Sequence, residues 1–86
     1  MTCKIKIAQT AEKQLLRLNK IARERIIKFL KKLTQREPRQ TGKALKGNKE
    51  GLWRYRVGDY RLICVIEDNI EQIVVLEIGH RREVYR

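Results

Sequence analysis

The sequence predicts an α/β (α+β) fold: a strand, an antiparallel two-helix hairpin and a three-stranded antiparallel meander, with the helices on one face of a twisted four-stranded sheet. Three observations predict it. Apolar residues alternate with a period of two at the start of the chain. They follow helical spacing from residue 11 to residue 33, then return to a period of two from residue 52 onward. The connections inside the last segment are short, as in hairpins.

Residues 2–7 read Thr-Cys-Lys-Ile-Lys-Ile, so Cys3, Ile5 and Ile7 face one way and Lys4 and Lys6 the other. That is the pattern of a half-buried strand. Thr10 is the expected N-cap of a first helix, with Glu12 in its first turn, where the helix dipole favours an anion. Ala11, Leu15 and Leu18 keep helical spacing, and Asn19 is the expected stop. A second helix is expected over residues 21–36, with Ala22, Ile26, Leu30 and Leu33 as its apolar stripe and Ile27 and Phe29 widening it. Pro38 ends it, and so short a break between helices folds them into a hairpin. Residues 38–51 hold Pro38, Gly42, Gly47 and Gly51 among polar and basic side chains and read as loop. Three strands follow, over residues 52–57, 60–66 and 71–80, joined by Gly58-Asp59 and by residues 67–70.

A chain of 86 residues makes one domain, residues 1–86, and an apolar content of 42% excludes a disordered tail. The absence of an 18-residue apolar run excludes a membrane span. The opening MTCKIKIAQT has neither the apolar core nor the cleavage site of a secretory signal, so a cytoplasmic location is expected. Cys3 and Cys64 lie in apolar strand-like segments and are expected to be reduced core thiols. One histidine and two separated cysteines lack the spacing of a zinc site, and no metal or cofactor is expected. The charge is the first functional clue. Lys and Arg number 21 against 10 Asp and Glu, a net charge of +11, which points to a polyanionic partner: nucleic acid, a ribosome, an anionic membrane surface or an acidic protein. A membrane role is disfavoured because the apolar stripes are needed for the core.

The sharper clue is a register. A two-residue turn at Gly58-Asp59 sets Val57 opposite Tyr60 and Arg56 opposite Arg61. Trp53, Tyr55, Val57, Tyr60, Leu62, Cys64 and Ile66 then share a face that covers the helices, while Arg54, Arg56 and Arg61 share the other. Like charges directly opposed destabilise a sheet. Folding alone gives no reason for the pair, whereas converging guanidiniums suit a phosphodiester. The plain alternative is a set of splayed, solvated arginines. The chain ends His80-Arg81-Arg82-Glu83-Val84-Tyr85-Arg86. His80 could carry a proton near neutral pH, and Tyr85 could stack on a base or hold a proton. A solvated strand-end histidine and a tyrosine that docks the tail are the structural alternatives.

At these residues the chain resembles the RelE/ParE superfamily of toxins from type II toxin–antitoxin systems. The resemblance spans the two-helix start, Leu45-Lys46-Gly47, Leu52-Trp53-Arg54-Tyr55-Arg56-Val57, Gly58-Asp59-Tyr60-Arg61-Leu62 and Ile78-Gly79-His80-Arg81-Arg82-Glu83-Val84-Tyr85. It implies a RelE-like microbial RNase fold and a ribosome-dependent endoribonuclease that cleaves mRNA in the A site without metal. It also implies an acidic, RelB-like antitoxin as partner, through which the complex would bind operator DNA. The family's two basic residues spaced by one fall on Arg54 and Arg56, although well-studied members often carry lysines there. Its arginine after the turn falls on Arg61, and its terminal arginine and tyrosine fall on Arg81 and Tyr85, with Arg82 able to replace Arg81. Lys31, Lys32, Lys43, Lys46, Lys49 and Arg82 are the further candidates for RNA binding. Arginine stays protonated, with a pKa above about 12, and so is a poor general base, which leaves proton transfer to Tyr85 or His80. The rivals are a ParE-like inhibitor that binds DNA gyrase and a non-catalytic module that binds RNA or the ribosome.

Overall fold

The computed structural model describes residues 3–45 and 51–80. The elements run β1 (Lys4–Ile7), α1 (Gln9–Arg17), α2 (Lys20–Leu33), β2 (Lys43–Ala44), β3 (Trp53–Val57), β4 (Tyr60–Glu67) and β5 (Gln72–His80). The strands form one mixed sheet in the order β1-β5-β4-β3-β2, and the two helices pack on one of its faces. The α+β architecture and the antiparallel meander are as the sequence predicts. The strand count is not, because the sheet has five strands rather than four. Part of the stretch read as loop is β2, which pairs Lys43 with Arg54 and Ala44 with Trp53. β1 runs parallel to β5, from Lys4 beside Gln72 to Ile7 beside Val75. Parallel neighbours need a long crossover, and here the helices and the rest of the meander supply it.

The helix ends differ from the sequence reading for reasons of capping. Asn19 does not stop the first helix but starts the second, where its Oδ1 accepts the Ala22 N–H at 2.8 Å. Thr10 lies inside α1 rather than at its cap, a position held by Ala8. α2 closes at Leu33, with Thr34 at the C-cap donating its hydroxyl to the Lys31 carbonyl at 2.6 Å, so Pro38 follows the helix end without causing it. The third strand of the meander begins at Gln72 rather than at residue 71. Glu71 takes a left-handed conformation, φ 50°, after a short 3-10 turn at Asp68–Ile70.

The helices and sheet bury one core. Ala11, Leu15, Ile26, Leu30 and Leu33 meet Tyr55, Leu62, Cys64, Ile73, Val75 and Ile78. Each large aliphatic chain removed from water here contributes about 1.5–3 kcal/mol. β5 keeps its apolar side inward only by a bulge: Ile63 pairs with Glu77 and Cys64 with Val75, which leaves Leu76 as the extra residue. Beside the bulge, the Ile78 N–H donates to Gln14 Oε1 at 2.6 Å and ties α1 to the sheet. Cys3 and Cys64 are free thiols, as expected, and burial pushes the Cys64 thiol up to about 12.

Candidate active site

The β3–β4 hairpin has the register that the turn predicts. Val57 lies opposite Tyr60 and Arg56 opposite Arg61. Gly58 takes a φ of +60°, which the tight turn requires and which glycine adopts at no steric cost. Pleating then separates the two sides. Tyr55, Leu62 and Cys64 point inward, each 0% exposed. Arg54, Arg56 and Arg61 belong to the outer side, away from the helices.

Two cross-strand rows organise that outer face. One runs Arg56, Arg61, Gly79 and the other Lys43, Arg54, Ile63, Glu77. Directly opposed side chains start only about 5 Å apart at Cβ, so Arg56 and Arg61 are within reach of one anion. Gly79 adds no side chain beside Arg61. The arginines are not equally wet: Arg56 is exposed, Arg54 half-buried, and Arg61 only 7% exposed. Burial removes competing water and strengthens what a guanidinium does to a phosphate. The arrangement can bind a phosphodiester from several directions and stabilise charge that builds on its oxygens.

His80 is not brought to the arginines. It pairs with Tyr60, and the two rings meet edge to face with centroids 5.8 Å apart. Both line an open cleft of about 600 Å³ together with Asn19, the cap of α2, and Ala22 and Arg25 within it, on the helix side of the sheet. Lys31 and Lys32 lie in the last turn of α2, exposed, and also belong to the helix layer. Lys43 is brought in, directly across from Arg54. Lys46, Lys49, Arg81, Arg82 and Tyr85 lie outside the described residues. Tyr55, the tyrosine between two of the arginines, is no proton carrier. Burial raises its phenol above the ordinary value, and its hydroxyl donates to the Pro38 carbonyl at 2.5 Å. Sequence reasoning gave Gly79 no role in the site, and its signal was a glycine within a strand, where close approach of another group is a standing explanation.

Among the described residues no group of three or more His, Cys, Asp or Glu side chains is placed to hold a metal. No helix among them is long and apolar enough to cross a membrane.

A family model described as the ParE toxin of type II toxin–antitoxin systems, parDE, matches residues 5–85. Toxin RelG of Mycobacterium tuberculosis is 30% identical over 82 residues, which cover 95% of this chain and 94% of the relative. Among solved structures, the toxin–antitoxin complex RelBE2 from Mycobacterium tuberculosis superposes with a TM-score of 0.87 at 28% identity, over 94% of this chain and 100% of the matched one. The archaeal RelE–RelB complex from Pyrococcus horikoshii OT3 follows with a TM-score of 0.74 at 29% identity, over 94% and 97% of the two chains.

Proposed function

We propose a ribonuclease mechanism from a fixed premise: this chain belongs to the ParE toxin family of type II toxin–antitoxin systems and is a toxin of the RelE/ParE superfamily. The toxin acts in the cytoplasm, cutting mRNA in the ribosomal A site. One observation carries the reading. Arg56 directly faces Arg61, with Arg54 in the next row, on the sheet face opposite the helices. A fold selected only for stability loses by opposing like charges, whereas a site for a phosphodiester gains.

The chemistry needs no group beyond the chain and its RNA. The 2′-hydroxyl oxygen attacks the adjacent phosphorus in line. The new O2′–P bond forms as the P–O5′ bond breaks, leaving a 2′,3′-cyclic phosphate and a 5′-hydroxyl. Arg54, Arg56 and Arg61 hold and orient the phosphate and offset the added phosphoryl charge, and Arg81 joins them. The proton leaving O2′ and the proton reaching O5′ need a titratable group. Tyr85 is assigned that role, because its position matches the family's terminal tyrosine and because His80 occupies the helix side of the sheet. The partner is an acidic antitoxin whose charge complements the +11 of this chain. Its support is that the matched structures named above are antitoxin complexes of related toxins.

The test is primer extension on mRNA undergoing translation, with the purified toxin and with Arg56→Ala. New 5′ ends inside ribosome-covered codons are expected with the unaltered chain and not with the variant. The ParE name of the matching family model keeps one rival specific, so gyrase supercoiling is measured beside it. Inhibited supercoiling with no new mRNA ends would replace the ribonuclease reading by gyrase binding.

A further inference from the structure

The segment before β3 is held more firmly than its loop-like composition suggests. Buried Tyr55 donates to the Pro38 carbonyl, and Trp53 Nε1–H donates to the Thr41 carbonyl at 2.9 Å. Arg39 forks onto Asp68 at 2.6 and 2.9 Å, and its guanidinium lies 5.9 Å from the centre of the Trp53 ring. Gly42 then passes so close to β3 that a Cβ there would stand 2.4 Å from the Arg54 carbonyl oxygen and 2.5 Å from Trp53 Nε1. Its φ of +81° adds a second reason for glycine.

This latch ends at Lys43. β2 is two residues long, and so short a strand has too few ladder bonds to hold itself in place. It also places a lysine directly across from an arginine, a pairing that pushes the strands apart. The Tyr55 and Trp53 bonds and the close pass at Gly42 supply the restraint that the strand lacks. The register makes Lys43 a fourth cation on the outer face, and Lys43, Arg54 and Arg56 also border a shallow cleft of about 270 Å³ at the sheet edge, which Phe29 of α2 and Tyr55 share. A latch that holds Lys43 across from Arg54 keeps its ammonium group on the face that the arginines share.

We propose that Lys43 grips an RNA phosphate neighbouring the one held by the arginines, and that Gly42, Trp53 and Tyr55 are positioning residues that fix it there. The proposal rests on the ribonuclease reading and names a further contact of that same site. Lysine acts as a flexible point charge, so its contribution falls on binding and not on the chemical step.

The test is single-turnover cleavage of a defined mRNA on programmed ribosomes, titrated with toxin. Lys43→Ala should raise the half-saturating toxin concentration about tenfold, as loss of one charged hydrogen bond does, with the maximal rate nearly unchanged. Lys43→Arg should restore it. Trp53→Phe keeps an aromatic side chain but removes the indole N–H together with the five-membered half of the ring, and should raise the half-saturating concentration a few-fold. In a Lys43→Ala background the same change should add nothing, because the latch then has no cation left to position. Gly42→Ala should repeat the Lys43→Ala defect, and if that variant does not fold, the Trp53→Phe cycle alone decides. Full additivity of Trp53→Phe and Lys43→Ala, or normal binding by Lys43→Ala, overturns the proposal while leaving the ribonuclease reading intact. Failure of the unaltered chain to cut any mRNA overturns both.

Discussion

The inner and outer faces of the β3–β4 hairpin are built from alternating residues of the same two strands, yet they answer to different demands. Tyr55, Leu62 and Cys64 are 0% exposed and sit where the transfer of apolar surface from water places them. Arg54, Arg56 and Arg61 lie on the opposite side, and Arg56 faces Arg61, an opposition of like charges that a sheet disfavours. Arg61 and Leu62 are neighbours in sequence and both are buried, at 7% and 0% exposure, for opposite reasons. Under the ribonuclease reading one strand serves stability and chemistry at once, because the pleat keeps the two sets of side chains apart.

The comparison breaks most visibly at the proton carrier. Tyr85→Phe should lower the cleavage rate by about 10²–10⁴-fold, the usual loss of a positioned acid or base, with ribosome binding little changed. His80→Gln should leave cleavage nearly intact, since His80 stands with Tyr60 on the helix side. Measured single-turnover rates decide. Abolition of cleavage by His80→Gln, with Tyr85→Phe active, would transfer the proton role to His80 and dissolve the division between the faces.

Next in size is the inner face itself. Leu62→Ala should destabilise the fold by about 2–5 kcal/mol through lost burial and a residual cavity. Denaturant unfolding measures it. The rate constant per folded molecule should stay close to that of the unaltered chain, because the arginines remain in register. A variant that stays stable but no longer cuts would show that the inner face shapes the chemistry directly.

How far each face was legible follows from what fixes it. Turn length and side-chain parity fix the hairpin, so Gly58-Asp59 alone gave away the pairing of Arg56 with Arg61. Parity fails where a run is apolar throughout. Ile73 to Leu76 carries no period of two, so the bulge at Leu76 left no trace in the sequence. β2 was hidden for a different reason, because Lys43 and Ala44 have no strand pattern of their own. Their pairing comes from contacts of Gly42, Trp53 and Tyr55 that only the folded chain assembles. Asn19 was misassigned because the same residue type suits the end of one helix and the cap of the next, and only its bond to Ala22 separates the two. The burial of Arg61 also lay beyond a pattern that assigns faces but not depths.

A smaller effect should sharpen the contrast from the outer side. Arg56 is exposed, and Arg56→Thr removes one member of an opposed like-charge pair while supplying a good strand former. Stability should be unchanged or rise by up to ~1 kcal/mol, and cleavage should fall sharply. The same gain is not expected at Arg61, which is buried and makes contacts within the fold. Loss of stability in Arg56→Thr comparable to that in Leu62→Ala would mean that the outer face is structural after all.

The smallest effect should come from the Arg39–Asp68 pair, which fastens the segment before β2 to the β4–β5 turn. Both side chains are largely exposed, at 51% and 66%, and such pairs gain little against water and salt. The hydrogen bond from Arg39 holds the Asp68 carboxyl below its ordinary value. The fold therefore favours the charged form. Its contribution is fully present above the unfolded carboxylate value of ~3.9 and is lost as pH falls through the lower folded value. Asp68→Asn should melt slightly below the unaltered chain near neutral pH. That gap should close as pH falls toward about 2, and also in about 1 M salt, where screening acts within ~3 Å. Thermal melts over that range measure the gap. A gap that persisted at the acid end would mean that Asp68 acts through the shape of its turn rather than its charge, and the clasp would then belong with the inner face's packing instead of the outer face's electrostatics.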